Sequence, residues 1–372
     1  MQWNTGTGFI IACFIYFIID CITLGYTTDM AEGVRHVQKT SGLVAIPLAL
    51  YTSSFLFQPL HYRILWKVFV WTIFAAAFFC ILSASTNFIS SGSSQSFFYH
   101  DLAAATGQHA IRFSILVLCA IIFLTQMARE NESFKKTDVF LLIFFTIFLV
   151  LLSSKFVLLM YVSYLLLLAI NWRKNKSQAK YLLLILMVLA IFSLIIALTN
   201  NPVSQRFRLL FSGDRELFKR EQFDPGIYFN GMQFRLLHWR LVPQILERED
   251  RWMTGLSSGD AQAVLNKIYA EKHMYTGIAG TENRGLLDYH THNQFLQSLL
   301  HAGIPGLLSI MLLFGVLFKM ALKSGGIATP FLVCFIFLYC FTDAVLETQY
   351  GIVIFSFFPF ISYLSHRFNL QE

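Results

Sequence analysis

Seventeen residues from His290 to Gly306 bring together three imidazoles, the Asn293 amide and a helix-breaking Gly303-Ile304-Pro305-Gly306. An imidazole, whose ordinary pKa is about 6.5, accepts a proton from an attacking hydroxyl at neutral pH, so His292 is the first candidate for a general base. The competing reading is a histidine at a helix start, bonded to its own loop. Arg235, in Arg235-Leu236-Leu237-His238-Trp239, is the second candidate. A planar guanidinium grips phosphate oxygens at two points; stacking on Trp239 or pairing with a loop acid is the alternative. His290 and His292 form an H-x-H pair, yet no Asp, Glu or Cys stands at ligand spacing, so no metal site is expected. The chain also lacks a D-x-D pair that could hold a nucleotide sugar through a divalent ion, and no cofactor is expected.

The composition says what must position these groups. Of 372 residues, 56% are hydrophobic, 39 are phenylalanine and only 13% are charged, against about 25% charged in a soluble domain. A water-soluble globule is excluded; the expected class is an all-α polytopic membrane bundle. The net charge of +7 is spread over inter-helix loops without a basic tail, so it reads as topology and no nucleic-acid partner is expected. All six cysteines lie in apolar runs without a C-x-x-C pair, which makes disulfides and thiolate metal sites improbable. Residues 8–26 follow no basic n-region and lack a convincing cleavage site, so they read as a retained span.

Apolar windows fall at about 8–26, 42–57, 64–84, 110–128, 138–153, 156–171, 180–199, 293–319, 327–345 and 349–366, which predicts about ten membrane spans. Only Ser154 and Lys155 separate the fifth from the sixth. Arg63, Lys67, Arg129, Lys135, Lys136, Arg173, Lys174, Lys176, Lys180, Lys319, Lys323 and Arg367 fall on one side, against Arg35, Lys39, Arg112 and Lys155 on the other. Basic residues are retained in the cytoplasm, so both termini are expected there, with residues 201–291 outside. The chain then divides into spans over 1–200, an outer helical cap over 201–291 and spans over 292–372. Within the cap, 232–247 and 261–274 are expected helices, the second opening at a cap-like Ser258-Gly259-Asp260. Window 293–319 is about 40 Å long as a straight helix, roughly 10 Å more than the hydrocarbon core, so it must tilt or break. Pro305 is the expected cause, with Gly303 and Gly306 forming a smooth patch for close helix approach.

Charges at mid-membrane cost roughly 2.5–3.5 kcal/mol, and those present here cluster at one expected depth. Asp20, His109, Lys155, Asp343 and Glu347 all fall at outer ends of spans, beneath the cap. Asp343 and Glu347 either orient His292 or an arginine, or solvate a turn. Lys155 supplies a point charge or snorkels to the interface. Arg206, just past the seventh span, binds substrate or lipid headgroups.

His292-Asn293, nine residues, then Gly303 and Gly306 fit H-N-x9-G-x-x-G, which resembles the signature of the O-antigen ligase superfamily, with its O-oligosaccharyltransferases and polysaccharide polymerases. Arg235 to Trp239, Thr254-Gly255 to Gly259-Asp260, Phe97-Phe98-Tyr99 leading to His109, Ser153-Ser154-Lys155 and Leu346-Glu347 to Gly351 are similar to further family stretches in the same order. Ala110 stands where relatives have Pro, and Lys155 where they have Arg. The resemblance implies a metal-independent, inverting glycosyltransferase of the bacterial inner membrane, its site facing the periplasm. It would move a glycan from a polyprenyl (undecaprenyl) diphosphate carrier to an acceptor hydroxyl on lipid A core, a glycan or a protein, with membrane lipids as surroundings. It also implies His292 and Arg235 as catalytic, and Arg206, Lys155, His109, Asn293, Glu347 and Asp343 as substrate-binding. A polymerase of the same family is the nearest alternative. A lipid-glycan flippase or transporter is the alternative from another class, disfavoured by the absence of an internal repeat.

Overall fold

A computed structural model of the chain describes residues 5–130, 134–172, 176–199, 216–227, 229–278 and 280–369. Among these the structure is helical, without strands. The α-helices are α1 (Thr5–Thr23), α2 (Met30–Thr40), α3 (Gly42–Ser53), α4 (Pro59–Ser91), α5 (Tyr99–Ala103), α6 (Ala110–Glu130), α7 (Lys136–Leu152), α8 (Lys155–Trp172), α9 (Lys176–Leu198), α10 (Gly231–Arg248), α11 (Ala261–Glu271), α12 (Gln294–Lys323), α13 (Ala328–Cys340) and α14 (Gln349–Asn369). Four segments are long and apolar enough to cross a membrane: Thr5–Tyr26, Pro59–Ser91, Ala110–Arg129 and Gln294–Lys323. Three of them carry exposed large apolar side chains, Ile18, Phe79 and Leu308 among them, as a lipid-facing surface requires, and Ala110–Arg129 is mostly buried. By contrast α3 and α13, at about 18 and 20 Å, are shorter than the roughly 30 Å core. The windows at 138–153 and 156–171 are two helices, because Ser153 takes a left-handed φ of 46° and ends α7.

The chain forms two compact units, residues 1–56 with 213–372, and residues 57–212, which cut across the expected linear division. In the second unit α4 packs on α6, α6 on α7, and both α7 and α8 on α9. Trp66 stacks on Phe123 at 3.6 Å, and buried hydroxyls pair as Thr125–Tyr164 and Thr146–Tyr161, each at 2.6 Å. Buried hydroxyls that satisfy one another remove the desolvation penalty of leaving each alone.

In the first unit α1 packs along α12, α3 against α14, and α13 between α12 and α14. Residues 217–300 build their own core, in which Leu237, Leu241 and Ile245 of α10 meet Leu265, Ile268 and Tyr269 of α11 and Leu296 and Leu300 of α12. Burying each such side chain contributes about 1.5–3 kcal/mol. The start of α10 is set by a capping box, with Asn230 Oδ1 accepting from Met232 N and Gln233 N while Gln233 Oε1 accepts from Asn230 N. Asp260 does not cap α11 as expected. Its carboxylate accepts from Thr28 N (2.8 Å), Thr28 Oγ1 (2.6 Å) and Asp29 N (2.9 Å), pinning the turn from which α2 begins.

The break in α12 also lies elsewhere than expected. Ala302 and Gly303 leave helical geometry, Gly303 with φ 64° and ψ −153°, two residues before Pro305. The 251–257 turn is stitched into this break: Leu256 N donates to Leu300 O (2.8 Å), Ser257 N to His301 O (2.9 Å), and Ile304 N to Trp252 O (2.8 Å). A Cβ on Gly303 would meet Trp252 O at 2.5 Å, and one on Gly255 would meet His301 O at 2.4 Å. The two glycines therefore let two backbones touch at a broken helix, and Gly303 and Gly306 form no patch for a neighbouring span.

Candidate functional site

The segment before α12 is folded back onto its first turn. Asn293 Oδ1 caps the helix, accepting from Phe295 N (2.9 Å) and Leu296 N (3.0 Å). Thr291 donates from N (3.1 Å) and Oγ1 (2.8 Å) to Gln297 Oε1. Between them His292 is held at a left-handed φ of 49°, a conformation costing of order 1–3 kcal/mol that persists only where the surroundings impose it. Its ring lies between Phe234 and Tyr289, at centroid distances of 5.8 and 5.7 Å.

The turn after α13 delivers the partner. Asp343 Oδ1 lies 3.5 Å from His292 Nδ1 and 3.6 Å from His290 Nε2. The same carboxylate accepts from Ala344 N (3.0 Å) and from the Tyr339 hydroxyl (2.9 Å). Burial alone would raise the Asp343 carboxyl, but the hydrogen bond from His292 and the adjacent imidazoles hold it well below the usual carboxylate range. An ionised Asp343 facing Nδ1 places the His292 proton there and leaves Nε2 as the basic nitrogen. Nε2 has no protein partner among the described residues.

Arg235, on α10, faces the same turn. Its Nε donates to Thr342 O (2.7 Å) and its Nη1 to Gly231 O (2.8 Å), which fixes the guanidinium plane. It does not stack on Trp239, whose ring instead lies parallel to Phe341. Arg235 and His292 open onto one cavity of about 330 Å³, with Phe229, Phe234, Tyr275 and Tyr289 among its walls. Behind it, His238 donates Nδ1–H to Phe234 O (2.8 Å) and meets the Tyr269 hydroxyl at 2.6 Å through Nε2. Burial pushes its pKa down to about 3, so it is a neutral support of the wall.

His290, His292 and Asp343 offer ligand atoms within 4.8 Å of one another, so the structure supplies the carboxylate that sequence spacing did not. The donor set nevertheless does not suit a metal. His290 Nδ1 accepts from the backbone N–H of His292 (3.1 Å), which puts the ring proton on Nε2, the nitrogen that faces Asp343. Burial, then the neighbouring His292, lowers the His290 pKa to about 4, so the ring is a neutral Nε2–H donor.

Of the residues proposed from sequence, His292, Arg235 and Asp343 come together. Asn293 is fully buried and its oxygen is used in capping; Glu347 is enclosed by His36 and His301, so neither faces the cavity. Lys155, the first residue of α8, and His109, exposed before α6, belong to the second unit. Arg206 lies outside the described residues. Sequence reasoning missed Tyr339, hidden in an apolar run, and His36, in a segment read as a loop. For α2 a signal existed: Asp29 precedes Glu32 by three residues, and its Oδ1 caps the helix at Glu32 N (2.9 Å). No protein-family model matches the chain, and no curated protein matches it.

Proposed function

We propose that this protein is a membrane glycosyltransferase that moves a glycan from a polyprenyl diphosphate carrier to an acceptor hydroxyl, as the resemblance to O-antigen ligases implies. In this reading the acceptor oxygen attacks the anomeric carbon while His292 Nε2 takes its proton. The carbon–oxygen bond to the diphosphate breaks, and the electron pair leaves with the phosphate. Asp343 stabilises the imidazolium so formed, and Arg235 meets the charge that grows on the leaving group. A single displacement from the face opposite the diphosphate inverts the anomeric centre. The observation that carries this reading is His292, backed by Asp343, opening with Arg235 onto one cavity.

A lipid donor accounts for a site built against membrane helices, because an isoprenoid stays in the bilayer while its diphosphate meets the guanidinium. The shorter apolar helices complete about ten membrane segments in this reading, with the 217–292 region on the outer, periplasmic face of a bacterial inner membrane. The test uses purified protein in liposomes with a polyprenyl diphosphate-linked glycan and, separately, lipid A core, glycan and peptide acceptors. Glycan appearing on one acceptor supports the proposal and names the acceptor. Uptake of the lipid-linked glycan into liposomes without transfer to any acceptor overturns it.

A further inference from the structure

A second ionic cluster lies in the first unit, away from the cavity walls. His36, on α2, is sandwiched between two carboxylates: its Nε2 is 3.3 Å from Asp20 Oδ2 and its Nδ1 is 3.3 Å from Glu347 Oε2. All three side chains are buried or nearly so, and Lys39 Nζ, one turn along α2, donates to Glu347 O (2.9 Å). On the far side His301 Nδ1 is 3.8 Å from Glu347 Oε1, an oxygen that is buried and has no hydrogen bond. The two rings meet edge to face at 4.8 Å.

Asp20, His36 and His301 could in principle hold a metal ion, since their ligand atoms lie within 4.8 Å. The hydrogen-bond pattern rules against it. Thr291 N is a donor only, so the Gln297 atom it meets is Oε1, and the amide nitrogen must face His301 Nε2 (2.8 Å). His301 Nε2 is therefore an acceptor, its proton sits on Nδ1, and that N–H points at Glu347. His36 presents both ring nitrogens to carboxylates and is a doubly donating imidazolium. Burial alone would lower its pKa, but Glu347 and Asp20 overcome this and raise it to about 10.

A charged ring so placed holds something in position. The turn between α13 and α14 carries Asp343 and Glu347; Asp343 N bonds back to Tyr339 O (2.9 Å) and Glu347 N to Ala344 O (3.2 Å), and the place of the Glu347 end against α1 and α2 is set by what grips it. Arg235 grips Thr342 O, Gln294 Oε1 accepts from Leu346 N (2.7 Å), and α2 grips Glu347 through His36 and Lys39. Gly351 closes the turn: a Cβ there would meet Val345 O at 1.8 Å. The run Thr291–Gln297–His301–Glu347–His36 then joins the loop that carries His292 to the turn that carries Asp343.

We propose that His36 is a positioning residue: by neutralising the Asp20 and Glu347 carboxylates on either side of it, its imidazolium clamps the Glu347 end of this turn and thereby holds Asp343 against His292 Nδ1. The kinetic consequence rests on the glycosyltransferase reading; the geometric consequence does not. Removing the imidazolium leaves Asp20 and Glu347 facing each other uncompensated, which pushes the turn away from α1. Neutralising Asp20 as well removes that repulsion, while Glu347 keeps its contacts with Lys39 and His301.

The experiment compares wild type, His36→Gln and Asp20→Asn/His36→Gln in lipid nanodiscs, by two measurements on the same samples. Nitrogen-15 NMR of labelled histidine, assigned with His292→Gln, reads the His292 tautomer. The expected result is Nδ1–H alone in wild type, a mixture in His36→Gln, and Nδ1–H again in the double variant. Glycan transfer is expected to lose at least 10-fold in kcat in His36→Gln, with the KM for the lipid-linked donor within about threefold of wild type, and to recover most of that loss in the double variant. An unchanged tautomer in folded His36→Gln overturns the proposal, as does a double variant that restores neither quantity. Wild type with the Nδ1–H tautomer but no transfer overturns the glycosyltransferase reading and leaves the clamp to be decided by the tautomers.

Discussion

The Asp343 carboxylate lies 3.5 Å from Nδ1 of His292, joining the turn that follows one apolar helix to the loop that opens another. The pair has the polarity a general base needs: the acid behind, the free nitrogen forward. Asp343→Asn keeps the shape of the side chain, with an oxygen still accepting from Ala344 N and facing His290 Nε2–H, but removes the charge that stabilises the His292 imidazolium. The expected loss in kcat for glycan transfer is about 10²–10³-fold, with a lower melting temperature at neutral pH because a carboxyl held below its ordinary range stabilises the fold when ionised. Rates measured alongside a melting curve check this.

Arg235 uses Nε for Thr342 O and Nη1 for Gly231 O, which leaves Nη2 for a ligand oxygen. Lysine keeps the charge and loses both the fork and the tie to the turn. Arg235→Lys is expected to lower kcat/KM for the lipid-linked donor about 10- to 100-fold, and Arg235→Ala further. A donor titration at saturating acceptor separates this from an acceptor effect.

The His36 cluster makes stability depend on pH with a definite sign. Its folded pKa, about 10, lies above the ordinary 6.5, so the stabilisation is complete below about pH 6.5 and is lost as pH rises through about 10. Glu347 is held below its ordinary range by His36 against the opposing effect of burial, so its contribution is lost only as the pH falls well below 4.5. Wild type is therefore expected to lose more thermal stability than His36→Gln between pH 7 and 10. Parallel alkaline melting curves for the two proteins would contradict the clamp's charge.

At Gly303 the expected effect is on folding. Alanine there combines a left-handed φ with a Cβ 2.5 Å from Trp252 O, so Gly303→Ala is expected to destabilise the protein by about 3 kcal/mol. Gly306→Ala tests the neighbouring glycine, whose Cβ would meet Ser298 O at 2.2 Å across the same break. Differential scanning of both variants in detergent measures the cost.

The sequence made much of the site legible because its chemistry sits at element boundaries. His292 precedes a strong N-cap, and Asp343 follows an apolar run, both visible as polar residues where apolar windows end. The helices at 231–248 and 261–271 were readable from their apolar faces and, in the second, the spacing of Val264, Leu265 and Ile268. What was not legible depends on contacts between distant segments. Asp260 looks like a cap by spacing, but its carboxylate serves the 28–29 backbone. Pro305 looks like the kink, but the backbone bonds to the 251–257 turn put the break at Ala302 and Gly303. His36 lies on a short amphipathic helix, and nothing in its local pattern shows that two carboxylates enclose it.

Glycan transfer by folded His292→Ala tests the central claim most directly. With a saturating polyprenyl diphosphate-linked glycan and the acceptor that wild type uses, the variant is expected to retain its melting temperature and its donor binding while kcat falls by about 10³-fold or more. A folded His292→Ala protein that transfers glycan at the wild-type rate would contradict it.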